Sequence, residues 1–108
     1  MAHLQRIMYI ENKADLAGGD ARIGLVTFSK TRKSLHYKNK SFTRISGFKA
    51  NHVDVDTREK YWISGPKKDG SDRLYGERVP IQIDEDVREE YWTKIRDCPE
   101  QKDQKQYI

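Results

Sequence analysis

Ser34-Leu35-His36-Tyr37-Lys38-Asn39-Lys40-Ser41-Phe42-Thr43-Arg44-Ile45 is the stretch that decides the fold class. Leu35 and Tyr37 fall on one side of an extended segment, and Ser34, His36 and Lys38 on the other, which is the period of a half-buried strand. Asn39 tolerates the left-handed backbone, so Lys38-Asn39-Lys40 reads as the tip of a hairpin that returns through Ser41 to Ile45. Upstream, Ile23 to Phe28 is apolar on both faces, as in the centre of a small barrel or a covered sheet, and Ser29 to Lys33 reads as a turn. Further upstream, Ile7 to Ile10 is a first strand, separated from the next by a loop with the turn cluster Gly18-Gly19-Asp20. Downstream, Phe48 to Val55 and Lys60 to Ser64 read as a second hairpin around Asp56-Thr57-Arg58-Glu59. Val53 and Val55 share a face in its first arm, and Tyr61 and Ile63 share one in its second.

Past the polar loop 67–73, Val79, Ile81 and Ile83 alternate with Pro80, Gln82 and Asp84. Pro80 lacks an amide hydrogen, which puts this strand at an edge or a bulge. A helix follows. Asp84 is its N-cap, Glu85, Asp86, Glu89 and Glu90 load its first turns with negative charge, and Lys94 and Arg96 close it, all complementing the macrodipole. Val87, Tyr91 and Ile95 make its apolar stripe with Trp92 alongside, and Pro99 ends it. The expectation is a mainly β (α+β) domain over 8–98: a five- or six-stranded antiparallel sheet curled towards an SH3-like half-barrel, closed on one side by the C-terminal helix. Residues 1–7 read as an extension and 99–108 as a disordered polar tail.

Hydrophobic and charged residues each make up 35% of the 108 residues, so the core must be modest. No apolar run approaches the roughly 20 residues of a membrane span, and the expected location is the cytoplasm. The single cysteine, Cys98, has no partner for an internal disulfide and no neighbouring His or Cys for a metal. The charge is segregated. Between Asp20 and Asp54 there is no acidic residue, yet Arg22, Lys30, Arg32, Lys33, Lys38, Lys40, Arg44 and Lys49 lie there, a local charge of +8. Residues 1–20 carry −1 and residues 54–108 carry −3. Segregation of sign within one small domain is the footprint of a face that meets a polyanion.

The turn Lys30-Thr31-Arg32-Lys33 and the tip Lys38-Asn39-Lys40 lie at opposite ends of one short strand, about 15–20 Å apart at roughly 3.3 Å per residue. That span follows two or three phosphates and is too diffuse for one small-anion pocket. The expected interface comprises Lys30, Arg32, Lys33, His36, Tyr37, Lys38, Lys40 and Phe42, with Lys67, Lys68 and Arg73 from the 67–76 loop. Tyr37, Phe42 and Phe48 have two readings, as a platform on which bases stack or as core aromatics under a solvated basic exterior. The loop likewise has two: Gly65, Gly70 and Gly76 permit a close approach to phosphate beside Lys67, Lys68 and Arg73, or Pro66, Asp69-Gly70 and Ser71-Asp72 are turn-formers and Arg73 pairs internally. No Walker pattern is present.

The runs Met8-Tyr9-Ile10-Glu11, Ala21-Arg22-Ile23-Gly24 leading to Val26-Thr27-Phe28-Ser29-Lys30, residues 61–76 (Tyr61-Trp62-Ile63-Ser64-Gly65-Pro66 to Gly76) and Asp84-Glu85-Asp86-Val87-Arg88-Glu89-Glu90-Tyr91-Trp92 carry a resemblance that covers Met8 to Arg96. They resemble a family of small bacterial proteins of unassigned function, whose members often bear the label 1-deoxy-D-xylulose-5-phosphate synthase. The resemblance also implies a natural start at Met8. The inherited label conflicts with the residues. A thiamine-diphosphate enzyme buries a large cofactor between substantial domains and holds its diphosphate through a metal site with a Gly-Asp-Gly start, whereas Gly70-Ser71-Asp72 is the nearest match in this short chain.

Catalysis is not expected. His3, His36 and His52 are scattered, no Ser or Cys lies in a nucleophile motif, and Asp54 and Asp56 flank a hairpin turn, where such pairs ordinarily serve the turn rather than a cation. The expectation is a non-catalytic module with no cofactor and no metal, binding RNA or single-stranded DNA through its basic face. A protein-interaction or regulatory module for an acidic protein partner is the alternative.

Overall fold

A computed structural model of the chain describes residues 4–13, 20–47, 49–73 and 80–107. The Gly18-Gly19 turn, Phe48, Gly76 and Val79 lie outside them. Eight strands follow in order: β1 (Gln5–Asn12), β2 (Ala21–Phe28), β3 (Ser34–Tyr37), β4 (Lys40–Arg44), β5 (His52–Asp54), β6 (Lys60–Ser64), β7 (Ile81–Ile83) and β8 (Gln106–Tyr107). The first six close an antiparallel barrel in the spatial order β1-β6-β5-β4-β3-β2, with β1 returning to pair β2. The domain is mainly β, as expected, and the barrel closes fully.

The two-faced apolar character of β2 has a direct cause. Its far edge divides: Thr27 and Phe28 pair antiparallel with His36 and Leu35 of β3, while Arg22 and Ile23 pair parallel with Gln82 and Ile83 of β7. One face of β2 fills the barrel and the other carries the extra layer. Val26 joins Ile10, Leu35, Tyr37, Phe42, Tyr61 and Ile63 inside the barrel. Ala21 and Ile23 join Tyr9, Ile81, Ile83, Val87, Tyr91 and Trp92 outside it, beneath the C-terminal helix.

The expected C-terminal helix is present over residues 85–95, as a composite of a 3-10 turn at Glu85–Val87, one α turn at Arg88–Glu90 and a π-helical stretch at Tyr91–Ile95. Asp84 precedes it, but its carboxylate makes no capping hydrogen bond. The tail expected to be disordered is ordered over residues 99–107. A 3-10 turn at Pro99–Gln101 leads to β8, which pairs with β7 through Ile81 and Gln82. Tyr107 stacks on Tyr91 with centroids 5.7 Å apart, and the Trp92 indole N–H donates to the Gln104 carbonyl at 3.0 Å. An apolar anchor at the end of a polar run has fixed the whole run. Likewise residues 5–7, read as part of an extension, belong to β1 and pair with Thr27, Val26 and Leu25.

β5 also reverses the expected alternation. His52 and Asp54 are buried, whereas Val55 is 40% exposed. The polar pair is held by local bonds that outweigh the loss of apolar packing. Asp54 accepts the backbone N–H groups of Asp56 (2.8 Å) and Thr57 (3.2 Å), shaping the β5–β6 turn, and no group of metal-ligating side chains occurs among the described residues. Burial alone would raise the Asp54 carboxyl, but these two N–H groups and Lys40 outweigh it and hold it below the usual carboxylate range.

Candidate polyanion-binding end of the barrel

The strands carry the sequence-predicted cations to two different ends of the barrel. One end holds the β3–β4 tip, the start of β2 and the end of β5. Here Asp84, only 4% exposed, is the hub. Arg22 donates to its Oδ1 through Nε and Nη2, both at 2.8 Å, the Tyr37 hydroxyl donates to Oδ2, and Lys38 Nζ lies 3.6 Å from Oδ2. Lys40 Nζ lies 3.8 Å from Asp54 Oδ2. A cavity of about 130 Å³ opens among Ile10, Asn12, Arg22, Tyr37, Lys40 and Tyr61. Its cations already face carboxylates, so this mouth is close to electrically balanced. Burial, followed by the bond to Asp84, pushes the Tyr37 hydroxyl well above the ordinary phenol range.

The opposite end is built differently. The β2–β3 turn places Lys30, Arg32 and Lys33 in solvent, and the Arg44 N–H donates to the Lys33 carbonyl at 3.0 Å, which brings the end of β4 against that turn. Arg44 is exposed as well. None of these four cations makes an ion pair among the described residues. Arg32 adopts φ = 62°, with its N–H donating to the Ser29 carbonyl at 3.0 Å, a left-handed position that glycine fills at least cost. His52 lies buried beneath this end. Burial first, and then the Arg44 charge, push its imidazole down to about 4, and its Nδ1 lies 2.8 Å from Asn51 Oδ1.

The expected interface is therefore divided. Lys30, Arg32 and Lys33 stay together, with Arg44 added; Lys38 and Lys40 belong to the other mouth. His36, exposed on the wall between, has Nδ1 3.0 Å from Ser41 Oγ. Tyr37 and Phe42 form no stacking platform. Phe42 is fully buried, edge-on to Tyr61 with centroids 4.7 Å apart, and Tyr37 points inward to Asp84. The core alternative is the one realised, because a six-strand barrel this small needs its aromatics inside.

Residues 69–73 of the loop are tied into the rest of the domain. Asp72 accepts the Lys67 N–H at 2.7 Å and the Tyr107 hydroxyl at 2.6 Å, Asp69 accepts the Ser71 N–H and hydroxyl, and Arg73 Nη1 lies 3.5 Å from the buried Glu11 Oε2. Gly70, at φ = 77°, leaves room for the Arg96 guanidinium, whose atoms would lie 2.6 Å from a Cβ there. Lys67 and Lys68 remain exposed. The two groups missed from sequence were Arg44 and Asp84. Arg44 lies outside both basic turns in sequence and reaches the Lys30–Lys33 turn only when β4 returns beside it, and Asp84 carries a strong capping signal that masks its ionic role. Comparison with known protein families, with curated proteins and with solved structures finds no match for this chain.

Proposed function

We propose that the protein is a non-catalytic, cytoplasmic module that binds the phosphate backbone of single-stranded RNA or DNA through the barrel end formed by Lys30, Arg32, Lys33 and Arg44. The supporting observation is that these four cations share one end of the barrel, exposed and without an ion pair among the described residues, while the cations at the other mouth face Asp84 and Asp54. Charges left unneutralised at one end of the barrel, while Arg22, Lys38 and Lys40 at the other mouth face carboxylates, are available to an external polyanion. Tyr37 and Phe42 lie in the core, so the reading favours backbone contact without base stacking, and hence weak sequence preference.

Titration of a fluorescent single strand tests this. Affinity should fall with salt at a log–log slope of roughly −0.7 per neutralised phosphate, about −2 to −3 for this cluster. Reversing Arg32 and Lys33 together to Glu should abolish binding with an almost unchanged melting temperature, because exposed charges contribute little to folding. Lys67→Ala and Lys68→Ala should leave the slope unaltered. No binding at low salt, or binding indifferent to the reversal, rejects the reading and leaves an acidic protein as the partner of this end.

A further inference from the structure

A groove of about 420 Å³ runs between the start of β1 and the C-terminal helix. Ile7, Pro66 and Ile95 contribute apolar lining, and Arg6, Lys68 and Lys94 contribute charge, with Glu90 as the single lining carboxylate among the described residues. Ile7 and Ile95 also pack against the outer core, so the groove exposes an edge of that core to solvent. None of the three cations has an ion pair among the described residues.

The helix is distorted where it borders this groove. Lys94 and Ile95 belong to the π-helical stretch, in which the Arg96 N–H donates to the Tyr91 carbonyl at 3.0 Å, one residue further back than in an α-helix. A π-helical turn is rare and recurs at functional sites. In this one Tyr91 and Trp92 stay buried in the outer core while Lys94 and Ile95 reach the groove.

We infer that this groove binds a short peptide segment of a partner protein in which an aliphatic or aromatic side chain is flanked by aspartate or glutamate. The apolar side chain covers Ile7, Pro66 and Ile95, and the acidic neighbours meet Arg6, Lys68 and Lys94. Net positive charge around an apolar floor supplies the complementarity, steering by charge and holding by burial. A nucleic-acid strand fits less well. Its phosphates would satisfy the cations, but among the described residues no aromatic ring lines the groove to receive its bases. This site uses none of the four cations of the barrel end, so it stands or falls separately from the proposed function.

The test is selection from a displayed random-peptide library on the purified full chain, followed by backbone amide NMR of the chain titrated with the best synthetic peptide. Enriched sequences should carry an apolar residue with acidic neighbours. The peptide should shift the amides of Ile7, Lys68, Lys94 and Ile95, and Lys68→Glu combined with Lys94→Glu should weaken it at least tenfold with the melting temperature unchanged. Lys68→Ala, a milder change, should weaken it several-fold. The inference is overturned by an absence of enrichment, by enriched peptides lacking acidic residues, by shifts confined to other surfaces, by full binding to the reversed variant, or by displacement of the peptide with a short single-stranded oligonucleotide.

Discussion

Removing the Tyr107 side chain should cost this protein much of its stability, although it sits one residue from the end of the chain. The ring stacks on Tyr91 at 5.7 Å, meets Trp92 edge-on at 6.1 Å and lies under the Arg96 guanidinium at 4.9 Å. Its hydroxyl donates to Asp72 Oδ2 at 2.6 Å. Burial, and then this bond, raise the hydroxyl far above the ordinary phenol range, so it remains a donor throughout the working pH range. Tyr107→Phe deletes only the donor and leaves a buried carboxylate short of one partner, a loss of about 1–3 kcal/mol. Tyr107→Ala also opens a cavity among Tyr91, Trp92 and Arg96, for about 3–4 kcal/mol in all. For a domain of this size the larger loss corresponds to a fall of about 12–32 °C in melting temperature, at roughly 4–8 °C per kcal/mol. The assay is thermal unfolding followed by circular dichroism, with urea melts to confirm an unchanged m value. A shift under about 2 °C for Tyr107→Ala would refute the reasoning and return the last residues to a dispensable tail.

Gly24→Ala should destabilise by about 1–3 kcal/mol, the range for forcing a methyl into a packed site. Its Cβ would lie 2.6 Å from Asp84 Oδ2 and overlap the Tyr37 ring, and a urea midpoint equal to that of the parent would show that the Tyr37 and Asp84 contact is loose. For His52, the folded chain holds the imidazole neutral to about pH 4 whereas the unfolded chain protonates near 6.5, so stability should be complete above about 6.5 and decline as pH falls towards 4. The decline attributable to this group is at most about 3 kcal/mol, and a His52→Gln variant that keeps the parent's full pH dependence between these limits would assign the effect elsewhere.

The barrel was readable because its signals were local and redundant. Leu35 and Tyr37 on β3, Tyr61 and Ile63 on β6 and the two-sided apolar run of β2 each follow from period-two burial, and all enter one core. What was not readable depended on partners distant in sequence. Asp84 looks like a helix cap from its neighbours, yet Arg22, 62 positions away, claims its carboxylate, and Tyr37, 47 away, donates to the other oxygen. Gln106-Tyr107 has too little local pattern to announce a strand, and becomes one because β7 offers an edge and Tyr91 a surface. The same limit applied to the candidate site. The turn Lys30–Lys33 was a cluster on sequence grounds alone, but the addition of Arg44 and the loss of Lys38 and Lys40 required the barrel to close.

The division of charge between the two mouths bears on how binding and folding are related. A buried carboxylate such as Asp84 or Asp54 demands a compensating cation or donor, because an unpaired charge at low exposure costs several kcal/mol. Arg22, Lys38 and Lys40 stand beside those carboxylates, and Arg22 meets that demand most directly, so changing it alters stability first and any ligand affinity second. Lys30, Arg32, Lys33 and Arg44 answer no such demand. On the proposed reading a bound polyanion would supply the opposite charge that the described residues do not place beside them. Binding at that end should therefore raise the melting temperature in proportion to ligand excess, as any ligand selective for the folded state does, and the increment should vanish at high salt together with affinity.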